Sequence, residues 1–293
     1  MTTIDQPSDS TTRIGQLRSM LTTVVVVVGA VAVFAYVLLP FFWMLKSSLQ
    51  TDTEIMKIPP LWLPTQLSLQ SYQRAVTITP FARYIVNSLF VSAVTTMVSV
   101  ILASMAGYVL ARHKFPGATA LLVFFLFTQL IPSITRVFPV YFMLQRLHLL
   151  NSYIGLIIAY VSFSLPYGVL MLQGYFRTSY PHELEEAALL DGCTWFSAFM
   201  RIVLPISVPG IVAVATYCFL GSWNDFLWAS LLLSRGDMKT IQVGLRDFVG
   251  EFGVQNMNSF MAACLLTTIP AIILYGLGQK YIVQGMSAGA VKG

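Results

Sequence analysis

The sequence predicts an all-α integral membrane protein with six transmembrane helices. Two observations carry that expectation. Of 293 residues, 56% are hydrophobic and only 10% charged, whereas soluble globular chains carry about a quarter charged residues. The apolar residues are also gathered into blocks, most of them near the 20 residues or so that an α-helix needs to cross the hydrocarbon core. Twelve acids stand against 17 bases, a net excess of +5. That excess forms no basic run and no aromatic-interleaved patch, so no nucleic-acid partner is expected.

The elements follow in order. Residues 1–20 are polar, with Asp5, Asp9, Arg13 and Arg18, and read as a disordered N-terminal segment. The first span is 21–45. A secretory signal has an apolar region of only about 7–15 residues, so this block reads as an uncleaved helix. Blocks at 86–110, 118–135, 152–174, 206–228 and 259–281 complete a transmembrane domain over 21–284. Pro132 and Pro166 interrupt the third and fourth; neighbouring helices in a bundle satisfy the backbone groups that proline frees. Between the spans lie a polar loop (46–85), a short basic loop with Arg112, His113 and Lys114, a mixed stretch (136–151), the segment 179–205 and a glycine- and charge-rich loop (233–258). A tail covers 285–293. Six spans put both termini on one side, but lysine and arginine are spread too evenly for the positive-inside rule to say which. Cys193, Cys218 and Cys264 have neither metal-ligand spacing nor a disulfide framework and read as small buried residues.

One stretch does not belong to the lipid. "SYPHELEEAALLDG" (Ser179 to Gly192) is a helix with Ser179 as its cap, Pro181 in the first turn, and Glu183, Glu185 and Glu186 near its positive end. Leu184, Ala187, Ala188 and Asp191 share one face by their i, i+3, i+4, i+7 spacing. Gly192 ends the helix in a left-handed conformation. Two readings stand on these grounds: an amphipathic helix on the membrane surface, or a helix that docks in a partner's groove.

Glu186-Ala187-Ala188, three residues, Gly192, nine residues, Ile202, one residue and then Leu204-Pro205 resembles the EAA motif. That motif marks the permease subunits of bacterial ATP-binding-cassette importers. "NSL" at Asn87, "ARHKFPG" at Ala111, "SWNDFLW" at Ser222 and "GMSAGAVKG" at Gly285 are similar to the carbohydrate-uptake branch, specifically its second, MalG-like permease. The resemblance implies the type I importer (MetI-like) permease fold in a bacterial inner membrane, with both termini cytoplasmic and loops 46–85 and 233–258 outside. It assigns ATPase coupling to Glu186, Ala187, Ala188, Asp191, Gly192, Leu204 and Pro205 in the loop 179–205. It also implies partners: a second EAA-type permease forming a heterodimer, an ATPase dimer that carries ATP and Mg, and an extracytoplasmic sugar-binding protein. Pro205 would start the fifth membrane helix, so that a push on the coupling helix passes into it.

The chain itself is expected to perform no chemistry and to hold no metal or cofactor. It lacks the phosphate loop G-x-x-x-x-G-K-[ST], and "HELEE" at His182 has Glu186 where a zinc-protease motif needs histidine. Polar residues inside spans are functional suspects. Asp225, with Asn224, either faces the outer mouth of a path or caps a turn. Gln129 and Tyr160 either line a sugar path or tie helices together, and for Ser162 and Ser164 the tie is preferred. Loop 233–258 suits a mobile element meeting the binding protein, or is simply solvated. A gradient-driven secondary transporter is the rival class; it calls for inverted repeats and mid-membrane ionisable groups. No repeat is found.

Overall fold

The computed structural model describes residues 9–250 and 256–290. Helix α1 (Asp9–Ser48) leads through two short helices, α2 (Asp52–Ile55) and α3 (Gln70–Thr77), into α4 (Phe81–Arg112). Helix α5 (Ala118–Leu130) is followed by a 3-10 turn (Ser133–Arg136), α6 (Val137–Arg146), α7 (Tyr153–Thr178) and α8 (Glu183–Leu190). A strip made of α9 (Trp195–Ala198), a π-helical turn (Phe199–Val203) and α10 (Leu204–Ile206) precedes α11 (Val208–Trp223). The chain ends with α12 (Leu227–Leu232), α13 (Ile241–Gly250) and α14 (Met257–Ala290). Four helices are long and apolar enough to cross a membrane. Two further pairs, 118–130 with 133–146 and 195–206 with 208–223, are bent by 100° and 78° and bring the number to six if each is one span. The expected multi-pass all-helical architecture is therefore present, with two spans broken.

Small residues decide the packing. On α4, Ser99, Ala103 and Gly107 recur every four residues and are buried. A Cβ added to Gly168 of α7 would lie 2.9 Å from the Ala103 Cβ. Lipid tails are as apolar as leucine, so helices in a bilayer associate through such close van der Waals approach rather than through hydrophobic exclusion. Val169, Leu172, Phe176, Val203, Val214 and Cys218 pack around this seam.

At one end of the bundle, here the far end, "NSL" explains its own residues. Asn87 Nδ2 donates to the carbonyls of Asp237 (3.1 Å) and Lys239 (2.9 Å), and Ser88 Oγ accepts from the Ile241 amide at 2.7 Å. Much of the segment expected as a loop over 233–258 is thus folded as α13, with Ile241 and Phe248 buried; residues 251–255 lie outside the described ones. The base of α1 is tied down at the same end. Lys46 Nζ donates to the Leu61 carbonyl at 2.6 Å, and Asn258 Nδ2 donates to the Gln50 carbonyl and the Asp52 carboxylate. Above that base, the apolar side chains of α1 from Met20 to Phe42 are exposed.

The ends of the chain differ from expectation. Helix α1 already begins at Asp9, so 9–20 is helical rather than loose, and 1–8 lie outside the described residues. The first six residues of the expected tail, 285–290, continue α14; 291–293 lie outside.

Candidate functional site

Two places bring the sequence-predicted residues together. The first is α8. Its N-cap is His182, not Ser179, because α7 persists to Thr178 and Ser179 instead closes it, its amide bonding the Tyr175 carbonyl at 2.9 Å. Gly192 behaves as expected, with φ +86°. Its amide bonds the Leu189 carbonyl (3.1 Å) and the Cys193 amide bonds the Ala188 carbonyl (2.9 Å), the paired bonds of a Schellman stop.

What holds α8 down is a residue that the motif did not single out. Glu185 is fully buried. Its Oε2 accepts from the Tyr108 hydroxyl at 2.7 Å, and its Oε1 lies 2.8 Å from Arg112 Nε, whose side chain is 6% exposed. The Arg112 guanidinium sits 4.3 Å above the Tyr180 ring and donates to that residue's hydroxyl and carbonyl, both at 3.3 Å. Arg112 is in the last turn of α4, where a cation is favoured by the helix dipole. Burial, with the Glu185 carboxylate beside it, outweighs Arg112 and holds the Tyr180 hydroxyl above the ordinary tyrosine range. A buried charge needs a partner: Glu185 Oε1 meets Arg112 as an ion pair and its Oε2 takes the Tyr108 hydroxyl, although Oε1 gains no further hydrogen bond. The ring of Phe199, 4.7 Å from Tyr108, packs against the same joint.

With Glu185 inward, the rest of the helix sorts itself. Ala188 turns to the protein, whereas Leu184, Glu186, Ala187, Leu190 and Asp191 are exposed, Leu190 at 89%. The expected four-residue face is therefore divided: Ala188 belongs to the inner side. Signals for Glu185 were present in the doublet Glu185-Glu186, but the motif register points to the second glutamate, the exposed one.

Leu204 and Pro205 lie in α10 and line an apolar groove of about 620 Å³ with Ser104 and Phe199. Pro205 does not start the fifth membrane helix. That helix begins at Val208 beyond the 78° bend, with Pro209 in its first turn. The Ser207 amide at the elbow is satisfied by the Val203 and Leu204 carbonyls.

The second place is a cavity of about 310 Å³ between the α5–α6 bend, α7 and the α11–α12 junction. Gln129, Tyr160 and Asp225 all line it, as does Ser164. Asp225 Oδ2 accepts from the Tyr160 hydroxyl at 2.8 Å and from the Ala229 amide at 3.0 Å. Asp225 thus satisfies an amide in the first turn of α12, whose N-cap is Phe226, and also lines the cavity. Asn224 does neither; it is exposed, and its amide ends α11 on the Leu220 carbonyl. Ser162 bonds the Ala159 carbonyl at 2.6 Å, a local tie.

Sequence reasoning missed Arg136 and Tyr217, which also line this cavity. Arg136 is the one charge between Lys114 and Arg146, a signal lost because the third span was ended at residue 135. The structure carries the chain on through the bend, and that turn brings Arg136 to the cavity wall. Among the described residues no cluster of His, Cys, Asp and Glu could hold a metal ion.

The chain is similar to known transport proteins in sequence and in fold. Residues 99–288 match the family described as binding-protein-dependent transport system inner membrane component. The chain is 32% identical over 266 residues to the diacetylchitobiose uptake system permease protein DasC of Streptomyces coelicolor, covering 91% of this chain and 96% of that one. It is 31% identical over 276 residues to the trehalose/maltose transport system permease protein MalG of Thermococcus litoralis, covering 94% and 98%. A crystal structure of a bacterial ABC transporter involved in the import of the acidic polysaccharide alginate superposes with a TM-score of 0.76, covering 95% of this chain and 99% of that one; at 20% identity the likeness is one of fold. The chain belongs to the binding-protein-dependent transport system inner membrane component family, the permeases of ABC importers.

Proposed function

We propose that this chain is a permease subunit of an ATP-driven sugar importer, forming half of the translocation path and coupled through α8 to a separate ATPase. The observation that carries the reading is the posture of α8: an acidic helix anchored from beneath by a buried ion pair, with Glu186, Ala187, Leu190 and Asp191 facing outward and exposed. Such a face is complementary to a groove rather than to lipid. In this reading the α8 end and both termini are cytoplasmic, ATP and Mg are bound by the ATPase dimer, and α13 at the far end meets a sugar-binding protein. A second EAA-type permease completes the path. Relatives that carry diacetylchitobiose and trehalose or maltose support a carbohydrate substrate.

Motion of α8 enters the bundle through α4. Glu185 and Arg112 join α8 to α4 directly, while the 78° elbow at Ser207 separates it from α11. This route runs beside the expected push through Pro205 into the fifth helix.

The test is a mild-detergent pull-down followed by reconstitution. Recovery of a phosphate-loop ATPase and a second EAA-bearing permease, with sugar uptake that needs ATP, is the expected result. Uptake by the chain alone, driven by a proton or sodium gradient without ATP, would replace this reading with that of a secondary transporter.

A further inference from the structure

The far-end cavity holds two polar groups that none of the described residues satisfies. Gln129 Nε2 and Arg136 Nε are both buried, both belong to residues lining the cavity, and neither has a hydrogen-bond partner. The nearby carboxylate is already engaged, since Asp225 Oδ2 accepts from both Tyr160 and Ala229. Among the described residues, no acid stands within ion-pair distance of Arg136. Its guanidinium lies instead over the Phe163 ring, 4.6 Å from the centroid.

That stacking uses the face of the guanidinium and leaves its edge, where the N–H groups point, free for an acceptor. A charge within a membrane segment is expensive, and arginines kept there face a counter-charge or a solute path. The planar fork matches carboxylate, sulfonate and phosphate groups, which accept two parallel hydrogen bonds. The cavity thus presents unfilled donors and, across from the Asp225 carboxylate held by Tyr160 and Ala229, an arginine with no acid within 4 Å among the described residues. Tyr217 and Trp228 add aromatic walls suited to the apolar face of a pyranose ring. Its volume of about 310 Å³ is at the lower end of the roughly 300–1,000 Å³ found for small-molecule pockets, which suits a single glycosyl unit.

We propose that the cavity binds a sugar unit carrying an anionic substituent, with Arg136 as the partner of the anion and Gln129 donating beside it. This inference rests on the sugar-importer reading and narrows it to acidic glycosides.

The experiment uses the whole importer, co-isolated with its ATPase, its second permease and its binding protein, in liposomes. ATP-driven uptake is measured for an acidic probe, a glucuronate-containing disaccharide, and for neutral maltose and trehalose. The expected result is uptake of the acidic probe, falling by roughly 10–100-fold in Arg136→Met, the loss that one charge-assisted hydrogen bond predicts. Arg136→Lys should recover part of it, and co-isolation of the ATPase and the second permease with each variant checks that the importer still assembles. If Arg136→Met does not assemble, Arg136→Lys and Gln129→Leu carry the test, each with a partial loss confined to the acidic probe. Uptake of neutral sugars only overturns the inference and leaves the importer reading standing. So does equal loss for both classes of probe, which would assign Arg136 to packing or to a lipid headgroup. Absence of uptake and of stimulated hydrolysis for every sugar would remove the importer reading itself, and this inference with it.

Discussion

Replacing Glu185 by alanine should release α8 from the bundle without unfolding the spans. The substitution removes the acceptor of Tyr108 and leaves Arg112 buried with no counter-ion. Removing one partner of a buried ion pair costs about 3–5 kcal/mol. Arg112 retains its stacking on Tyr180 and two long hydrogen bonds, which argues for the lower figure, about 3 kcal/mol. At about 1.4 kcal/mol per decade that is roughly a hundredfold rise in the opening of α8. Hydrogen exchange read by mass spectrometry over residues 183–190 of the assembled importer measures it. ATP-driven uptake should fall while ATP hydrolysis continues. Removing Arg112 as well should relieve the unpaired charge, so the double variant should exchange less than the sum of the singles. Exchange within twofold of the parent in Glu185→Ala, or strict additivity in the cycle, would refute the account of Glu185 as the anchor.

Three other outcomes follow from the packing and the charges. Gly168→Val inserts a branched side chain where a bare Cβ already lies 2.9 Å from Ala103; overpacking of this kind costs about 1–3 kcal/mol, read as lower thermal stability and poorer recovery of monodisperse protein. Asn151 sits at φ +54° and its Oδ1 accepts from the Ser234 amide and hydroxyl and the Arg235 amide. Asn151→Ala should lose about 1–3 kcal/mol and raise proteolytic cleavage near Ser234. Asp52 is pushed up by burial, but hydrogen bonds from Arg74 and Asn258 and the Arg74 charge outweigh that and hold it below the ordinary aspartate range. A depressed carboxylate gives stability that is present above the unfolded value, about 3.9, and is lost as pH falls through the folded one. Melting curves of Asp52→Asn should accordingly be less sensitive to acid below about pH 4 than those of the parent.

The long helices were legible because a 20-residue apolar block leaves a chain in lipid one option. Gly192 was legible for a local reason as well: the position needs a left-handed backbone, and glycine meets it. The breaks were not. Pro132 marked a disturbance in the third span, but nothing local to it fixed a 100° turn, which depends on what α5, α6 and α7 pack against. The start of α11 was misplaced by the same cause, since Pro205 and Pro209 are both acceptable in a first turn and only the elbow at Ser207 chooses between them. Glu185 and Arg112 are 73 residues apart in the chain, and no periodicity connects them. Of the cavity, Gln129, Tyr160 and Asp225 were visible as polar residues in apolar surroundings, whereas their convergence, and the arrival of Arg136 beside them, are products of the bends.

Those bends also bear on the thickness of the barrier. Helix α5 has 13 residues and α11 has 16, which at 1.5 Å per residue is about 20 and 24 Å. The hydrocarbon core of a typical bilayer is about 30 Å. Neither helix covers that distance, so at these two walls the bilayer thins or the elbows make up the shortfall. Where the bilayer thins at these walls, a solute passing beside them has less apolar depth to cross than one passing along α4 or α7. Both short helices line the cavity, Gln129 from α5 and Tyr217 from α11, so thinning there brings its polar groups closer to water than a pocket midway along full-length helices would be.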